Sequence, residues 1–167
     1  LASLRGEGGS LFVAVCGQGS AIRDIDSPGE RAIKVADIAN PSDALFCESF
    51  ESSHSSHDDM GEIMKRLGVK GPPLRMDSQA KYGILARGDG SVYLRLPTKK
   101  AYEEKIWDHA AGCILVEEAG GKVTDLNGNP LDFSQGKTLV KNKGVIATNG
   151  RLHDIVLKAV KSVIKSQ

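Results

Sequence analysis

This sequence lacks an excess of charge of either sign, a long apolar run, an opening leader and a paired-cysteine pattern, and each absence removes a class of function. Lysine and arginine number 22 against 21 aspartates and glutamates, a formal net charge of +1, so no general electrostatic pull toward a nucleic-acid polymer or a membrane surface is expected. No stretch approaches the roughly 20 apolar residues that cross a bilayer. Nothing at the start has the order of a signal peptide. The three cysteines, Cys16, Cys47 and Cys113, are odd in number and show neither CxxC nor zinc-type spacing. That usage points to a reducing, intracellular compartment, with the cytoplasm expected and an organelle not distinguished from it. Cys113, inside the run AAGCILV, reads as a small buried hydrophobe.

What is present is an ordinary globular composition, 40% apolar and 26% charged over 167 residues, enough for one buried domain or one domain with part of another. Residues 10–40 read as strands: Ser10–Val15, then the turn cluster Gly17-Gln18-Gly19, then Ser20–Arg23, with Ile33–Ala36 as a third. Short glycine turns between them predict an antiparallel meander, which alone would be marginal. After Asn40-Pro41 strands and helices alternate, and an α/β layer structure is expected. Ser56 opens a helix with Asp59 as its capping partner and Gly68 as its stop. A second helix is expected from Ser78 to Ala86 and a third from an Asp108 cap to Ala119, apolar on nearly all sides. Short strands are expected at Ala44–Cys47, Leu74–Met76, Ser91–Leu96, Lys122–Thr124 and Gly144–Thr148. The last helix carries a stripe of Leu152, Ile155, Val156, Ala159, Val160, Val163 and Ile164, with Lys158, Lys161 and Lys165 opposite.

Four polar stretches stand out. Ser53-His54-Ser55-Ser56-His57-Asp58-Asp59 is either an anion-binding helix start or a capping box with two solvated histidines. Asp77-Ser78-Gln79-Ala80-Lys81-Tyr82 is either a phosphate cradle, in which hydroxyl, backbone N–H groups and ammonium converge, or an N-cap serine with an exposed lysine. Arg95, among apolar strand residues, either faces solvent or offers its planar fork to phosphate oxygens. Asp108 is either an N-cap or a ligand for a hard cation such as magnesium. Trp107 beside it is expected to pack.

Together these stretches carry a resemblance. Trp107-Asp108-His109-Ala110-Ala111-Gly112, continued by Glu117-Glu118-Ala119-Gly120-Gly121, resembles the carboxyl-terminal WDxAAG signature of the inositol-monophosphatase-like superfamily of lithium-sensitive phosphatases. His54-Ser55-Ser56-His57-Asp58, Asp77 to Tyr82 and Tyr93-Leu94-Arg95-Leu96-Pro97 resemble the narrower 3′(2′),5′-bisphosphate nucleotidases. The likeness runs from Gly6 to the last helix.

It implies the sugar-phosphatase fold (inositol monophosphatase/fructose-bisphosphatase-like). Residues 41–167 would form its carboxyl-terminal, substrate-binding α/β domain, and residues 1–40 the last strands of an incomplete amino-terminal α+β domain. The activity implied is magnesium-assisted hydrolysis of the 3′-phosphate of 3′-phosphoadenosine 5′-phosphate (PAP), or of its sulfated form (PAPS), to AMP or APS. Asp108 resembles the aspartate that ligates magnesium beside the scissile phosphate, and His54, Ser78, Lys81 and Arg95 resemble the residues that hold the nucleotide. The family's other metal ligands, a glutamate and an Asp-Pro-Ile/Leu-Asp-Gly-Thr motif, have no match here. Asp24-Ile25-Asp26-Ser27-Pro28 differs in order and context. The chain, which begins with Leu1, therefore reads as a fragment whose partner is the missing half, covalent or separate, and which is inactive alone. The other readings are an inositol (poly)phosphate phosphatase and a non-catalytic nucleotide-binding module.

Overall fold

The computed structural model describes residues 9–50, 56–97 and 102–164. Strands β1 (Ser10–Val15), β2 (Gly19–Asp24) and β3 (Arg31–Ile33) form an antiparallel sheet in that order, with Phe12 opposite Ile22 and Ser20 opposite Ile33. Gly17 and Gly19 bracket the first turn with φ of +74° and +84°, conformations that side chains rarely tolerate. The third strand stops short of the expected Ala36 because the following chain is captured elsewhere. The Val35 amide donates to Ala119 O at 3.1 Å, and Asn149 Nδ2 donates to the carbonyls of Ala36 and Ile38 at 2.8 Å each.

The second sheet has the order β5-β4-β6-β8-β7. Strands β4 (Phe46–Glu48), β5 (Leu74–Arg75) and β6 (Val92–Arg95) are mutually parallel, while β8 (Val145–Thr148) runs antiparallel to β6 and to β7 (Lys122–Thr124). Side chains alternate across its two faces, as the pleat requires. Phe46, Val92, Leu94 and Ile146 enter one core with Met60 and Ile63 of α1 (His57–Arg66) and with Val156, Val160 and Val163 of α4 (His153–Ile164). Cys47, Tyr93, Val145 and Ala147 enter the other, with Tyr82 and Leu85 of α2 (Ala80–Ala86) and Cys113 and Val116 of α3 (Ala110–Glu118).

Ile22 and Ile33 of the small sheet belong to that second core. The layers therefore run helix, sheet, helix, sheet, and the small sheet is covered rather than isolated. This explains why α3 is apolar on nearly all sides: it is pressed between two sheets. The Ser20 hydroxyl donates to Leu115 O at 2.7 Å, and the Glu118 carboxylate accepts from the amides of Gly17 and Gly19 at 2.8 Å each. The α1 cap is as expected, with Asp59 N donating to Ser56 Oγ at 3.3 Å and Gly68 closing the helix at φ +67°. In α4 the apolar stripe is a little wider than the buried face, since Ile155 is 44% exposed.

The start of α4 is fixed by a fully buried histidine. His153 holds Thr124 Oγ1 through Nε2 and Thr148 Oγ1 through Nδ1, each at 3.0 Å. Burial lowers its pKa from 6.5 to about 4, so the unfolded chain binds the proton more readily than the folded one. The stabilisation from a neutral His153 is thus complete above about pH 6.5 and is lost as the pH falls toward 4. Urea denaturation is expected to show up to about 3 kcal/mol of stability lost over that window. His153→Gln, which has no ionisable group there, is expected to flatten the profile.

Candidate active site

Because β4, β5 and β6 are parallel, their carboxyl ends, at Glu48, Arg75 and Arg95, lie along one edge of the sheet. In open α/β sheets that edge is where loops diverge and ligands bind. Asp77-Ser78-Gln79-Ala80-Lys81 follows β5 into α2 here. The helix starts at Ala80 and not at Ser78. Ser78 has φ +66°, the one positive value among the described non-glycine residues, and this left-handed kink breaks the helical path before it begins. Its exposed hydroxyl accepts from Ala80 N at 3.2 Å.

Lys81 is not the exposed lysine of the simpler reading. It is 3% exposed, and its ammonium donates to Ser49 Oγ at 3.1 Å and to the carbonyls of Met76 and Ser78 at 3.0 Å each. Those bonds match its three N–H groups. Burial pulls its pKa below the ordinary lysine value. The Tyr93 ring lies 5.2 Å beneath the charge. Lys81 thus ties the end of β4 to the Ser78 kink. His57 supports the same point, its Nε2 donating to Ser49 O at 3.1 Å.

Arg95 stands on a central strand, not a solvent-facing edge. Its Nε donates to Glu104 Oε1 at 3.1 Å, and its guanidinium lies over the Tyr102 ring at 5.9 Å. Among the described residues its terminal nitrogens take no hydrogen-bond partner, leaving a two-pronged donor for an oxyanion.

Asp108 ends a short 3-10 turn, Ile106–Asp108, and the position before α3 is His109, which makes no side-chain cap. The N-cap reading of Asp108 is therefore set aside. Its half-buried carboxylate has no hydrogen-bond or ion-pair partner among the described residues. Trp107, expected to pack, is 57% exposed, and its carbonyl accepts from Gln79 Nε2 at 2.7 Å. That bond joins the Ser78 kink to the Asp108 turn. The structure thus brings Ser78, Lys81, Arg95 and Asp108 to one edge. His54 lies outside the described residues.

Among the described residues the edge carries Arg75, paired with Glu48 at 2.8 Å, together with Lys81, Arg95 and the unpaired carboxylate of Asp108, a set suited to an anionic ligand. As a magnesium site it fits only in part. Asp108 offers hard oxygen donors, but no cluster of three or more ligating side chains exists among the described residues, and magnesium asks for near-octahedral oxygen coordination. Cys47 and Cys113 are no nucleophiles, since burial pushes both thiols up to about 12. Sequence reasoning missed Ser49, Tyr82 and Glu104. Glu104 is indistinguishable from Glu103 by any local signal, and Ser49 meets Lys81 across 32 residues of sequence.

Residues 7–165 match the model of the inositol monophosphatase family. Among curated relatives, a 3′(2′),5′-bisphosphate nucleotidase of Oryza sativa is 54% identical over 159 residues, covering 95% of this chain and 44% of that protein. One from Emericella nidulans is 50% identical, covering 94% and 46%. The chain thus spans less than half the length of these relatives. Among solved structures, the inositol monophosphatase of Anabaena (Nostoc) superposes with TM-score 0.64 at 26% identity, over 92% of this chain and 57% of that one. The suhB protein of Bartonella henselae superposes with TM-score 0.69 at 24% identity, over 92% and 53%. The shared fold, the WDxAAG turn and the extent of the match leave one conclusion: the chain belongs to the inositol monophosphatase family.

Proposed function

We propose that this chain is the substrate-binding, carboxyl-terminal part of a 3′(2′),5′-bisphosphate nucleotidase that removes the 3′-phosphate of PAP and related nucleotides. Identity of 50–54% to relatives of that name is the observation that carries the reading. The cationic edge after β4, β5 and β6 supports it. Arg95 engages the non-scissile 5′-phosphate with its free fork. The Ser78 hydroxyl donates to the nucleotide, and Lys81, already bonded to three protein oxygens, holds the loop in shape and adds positive charge from beneath. His54 joins the same ligand. Asp108 supplies one magnesium carboxylate beside the scissile phosphate, and the remaining ligands come from the amino-terminal half that completes the small sheet's domain. Magnesium, when bound, supplies positive charge against the phosphoryl and leaving oxygens and an activated water. Residues 1–40 belong with that half, and the enzyme works in the cytoplasm on a small nucleotide.

The test is phosphate release from PAP and from inositol monophosphate, with and without magnesium. It is run on the complete enzyme and on this chain alone. Magnesium-dependent turnover of PAP well above inositol monophosphate, by the complete enzyme and not by the isolated chain, is the expected result. Preference for inositol monophosphate would overturn the substrate assignment.

A further inference from the structure

Beneath the edge, side chains with no assigned contact to ligand form a continuous buried relay. Glu104 is 5% exposed, His109 1% and Tyr82 1%. Each Glu104 oxygen has one partner: Oε1 accepts from Arg95 Nε at 3.1 Å and Oε2 from His109 Nε2 at 3.0 Å. A carboxylate only accepts, so His109 Nε2 carries a proton. On the other side of the ring, the Tyr82 hydroxyl stands 2.8 Å from Nδ1. Burial keeps that hydroxyl protonated. Tyr82 is in turn held edge-on to Tyr93, ring centroids 5.0 Å apart. The Glu104 carbonyl accepts from Leu139 N at 2.9 Å, which anchors the relay to the far loop. Burial disfavours charge on Glu104, but the His109 hydrogen bond and the Arg95 charge outweigh it and hold the carboxyl below its usual range.

Stability is a weak reason for such a set. Buried ionic groups are costly to desolvate, and an apolar trio of similar volume often serves a core as well or better. What the relay does uniquely is couple two ligand groups through one carboxylate. Arg95 is held by its Nε, which restricts the swing of its fork. His109 is held at both ring nitrogens and is joined by a peptide bond to Asp108.

We propose that Glu104, His109 and Tyr82 are positioning residues that fix Arg95 and Asp108 relative to each other, so that both meet one bisphosphate nucleotide; this rests on the nucleotidase reading above. Through His109 the relay sets the Asp108 turn, and through Arg95 it sets the grip on the second phosphate. Tyr82→Phe therefore acts mainly on kcat, and Glu104→Gln on both kcat and KM. The glutamine has one accepting oxygen and cannot serve Arg95 and His109 together.

The experiment measures kcat and KM for PAP with magnesium in the complete enzyme, for Tyr82→Phe, Glu104→Gln, Arg95→Ala and the double variant of the last two. Glu104→Gln is expected to lower kcat/KM by about tenfold or more and Tyr82→Phe by about threefold to tenfold. The losses from Glu104→Gln and Arg95→Ala should combine to far less than their product, the signature of residues acting through one another. Tyr82→Phe keeps the ring and decides the matter if Glu104→Gln does not fold. Lower melting temperatures with kcat/KM within about twofold of the parent, or fully multiplicative losses in the double variant, would overturn the relay while leaving the nucleotidase reading intact. An unchanged kcat/KM in Arg95→Ala would instead remove Arg95 from the ligand, and the purpose of the relay with it.

Discussion

Replacing Asp108 by alanine is expected to lower kcat for PAP about a thousandfold or more, equivalent to about 4 kcal/mol of barrier, with little change in melting temperature. The two halves of this result come from the same geometry. The carboxylate closes a 3-10 turn, caps no helix and has no partner among the described residues. Removing it therefore breaks nothing that holds the fold. A capping aspartate would behave in the opposite way, costing about 1 kcal/mol of stability and leaving turnover unchanged. Asp108→Asn separates charge from shape: it keeps an oxygen at the same place and is expected to be nearly as inactive as the alanine. Initial rates of phosphate release at saturating PAP, with thermal melts of the same preparations, check both halves. A stable Asp108→Ala enzyme with ordinary kcat would remove Asp108 from the chemistry.

Gly112→Ala is the substitution expected to damage the fold most. A Cβ at this position would stand 2.8 Å from Tyr82 Cβ and closer still to the ring, with no flexible chain end to give way. Tyr82 cannot retreat, because it is fully buried between α3 and Tyr93 and is tied to His109. Overpacking of this kind costs about 3 kcal/mol or more, which for a chain of this size lowers the melting temperature by roughly 6–12 °C. Activity should fall further than the folded fraction, since the displaced ring carries the hydroxyl that orients His109. Gly61→Ala is the contrasting case. Nothing lies within 4 Å of its added Cβ, and a gain of about 0.5–1 kcal/mol is expected in the middle of α1. Differential scanning fluorimetry on the two variants gives opposite signs if the packing argument holds.

The glycine of the WDxAAG turn thus has a steric reason, and it shows which features were legible in the sequence. Periodicity revealed α4, and the Ser56 cap with the Gly68 stop bounded α1, because both signals are local and depend on residue type alone. Ser78 and Asp108 looked like caps for the same reason and are not. Whether a small polar residue caps a helix depends on backbone torsions such as the positive φ at Ser78, which composition does not encode. The burial of Lys81 was illegible because two of its acceptors are backbone carbonyls and the third is Ser49. Glu104 and Glu103 are identical in kind, and only the fold turns one inward. Trp107 shows the limit of size as a guide to burial, since the largest side chain in the sequence is mostly exposed. The roles expected for Ser78, Lys81, Arg95 and Asp108 came from family likeness, and their place on one edge came only with the fold. Their hydrogen-bond partners were not foreseeable.

The clasp between the small sheet and α3 has a consequence for the order of synthesis. Gly17, Gly19 and Ser20 find their partners at Glu118 and Leu115, between 95 and 101 residues further along the chain. The hairpin made first must therefore wait for roughly a hundred more residues before its inner face is covered. At ribosomal speeds of about 5–20 residues per second, that interval is roughly 5–20 seconds. Through it Phe12 and Ile22 lack the cover of α3, so nascent chains paused before Glu118 emerges expose apolar surface that the finished fold hides.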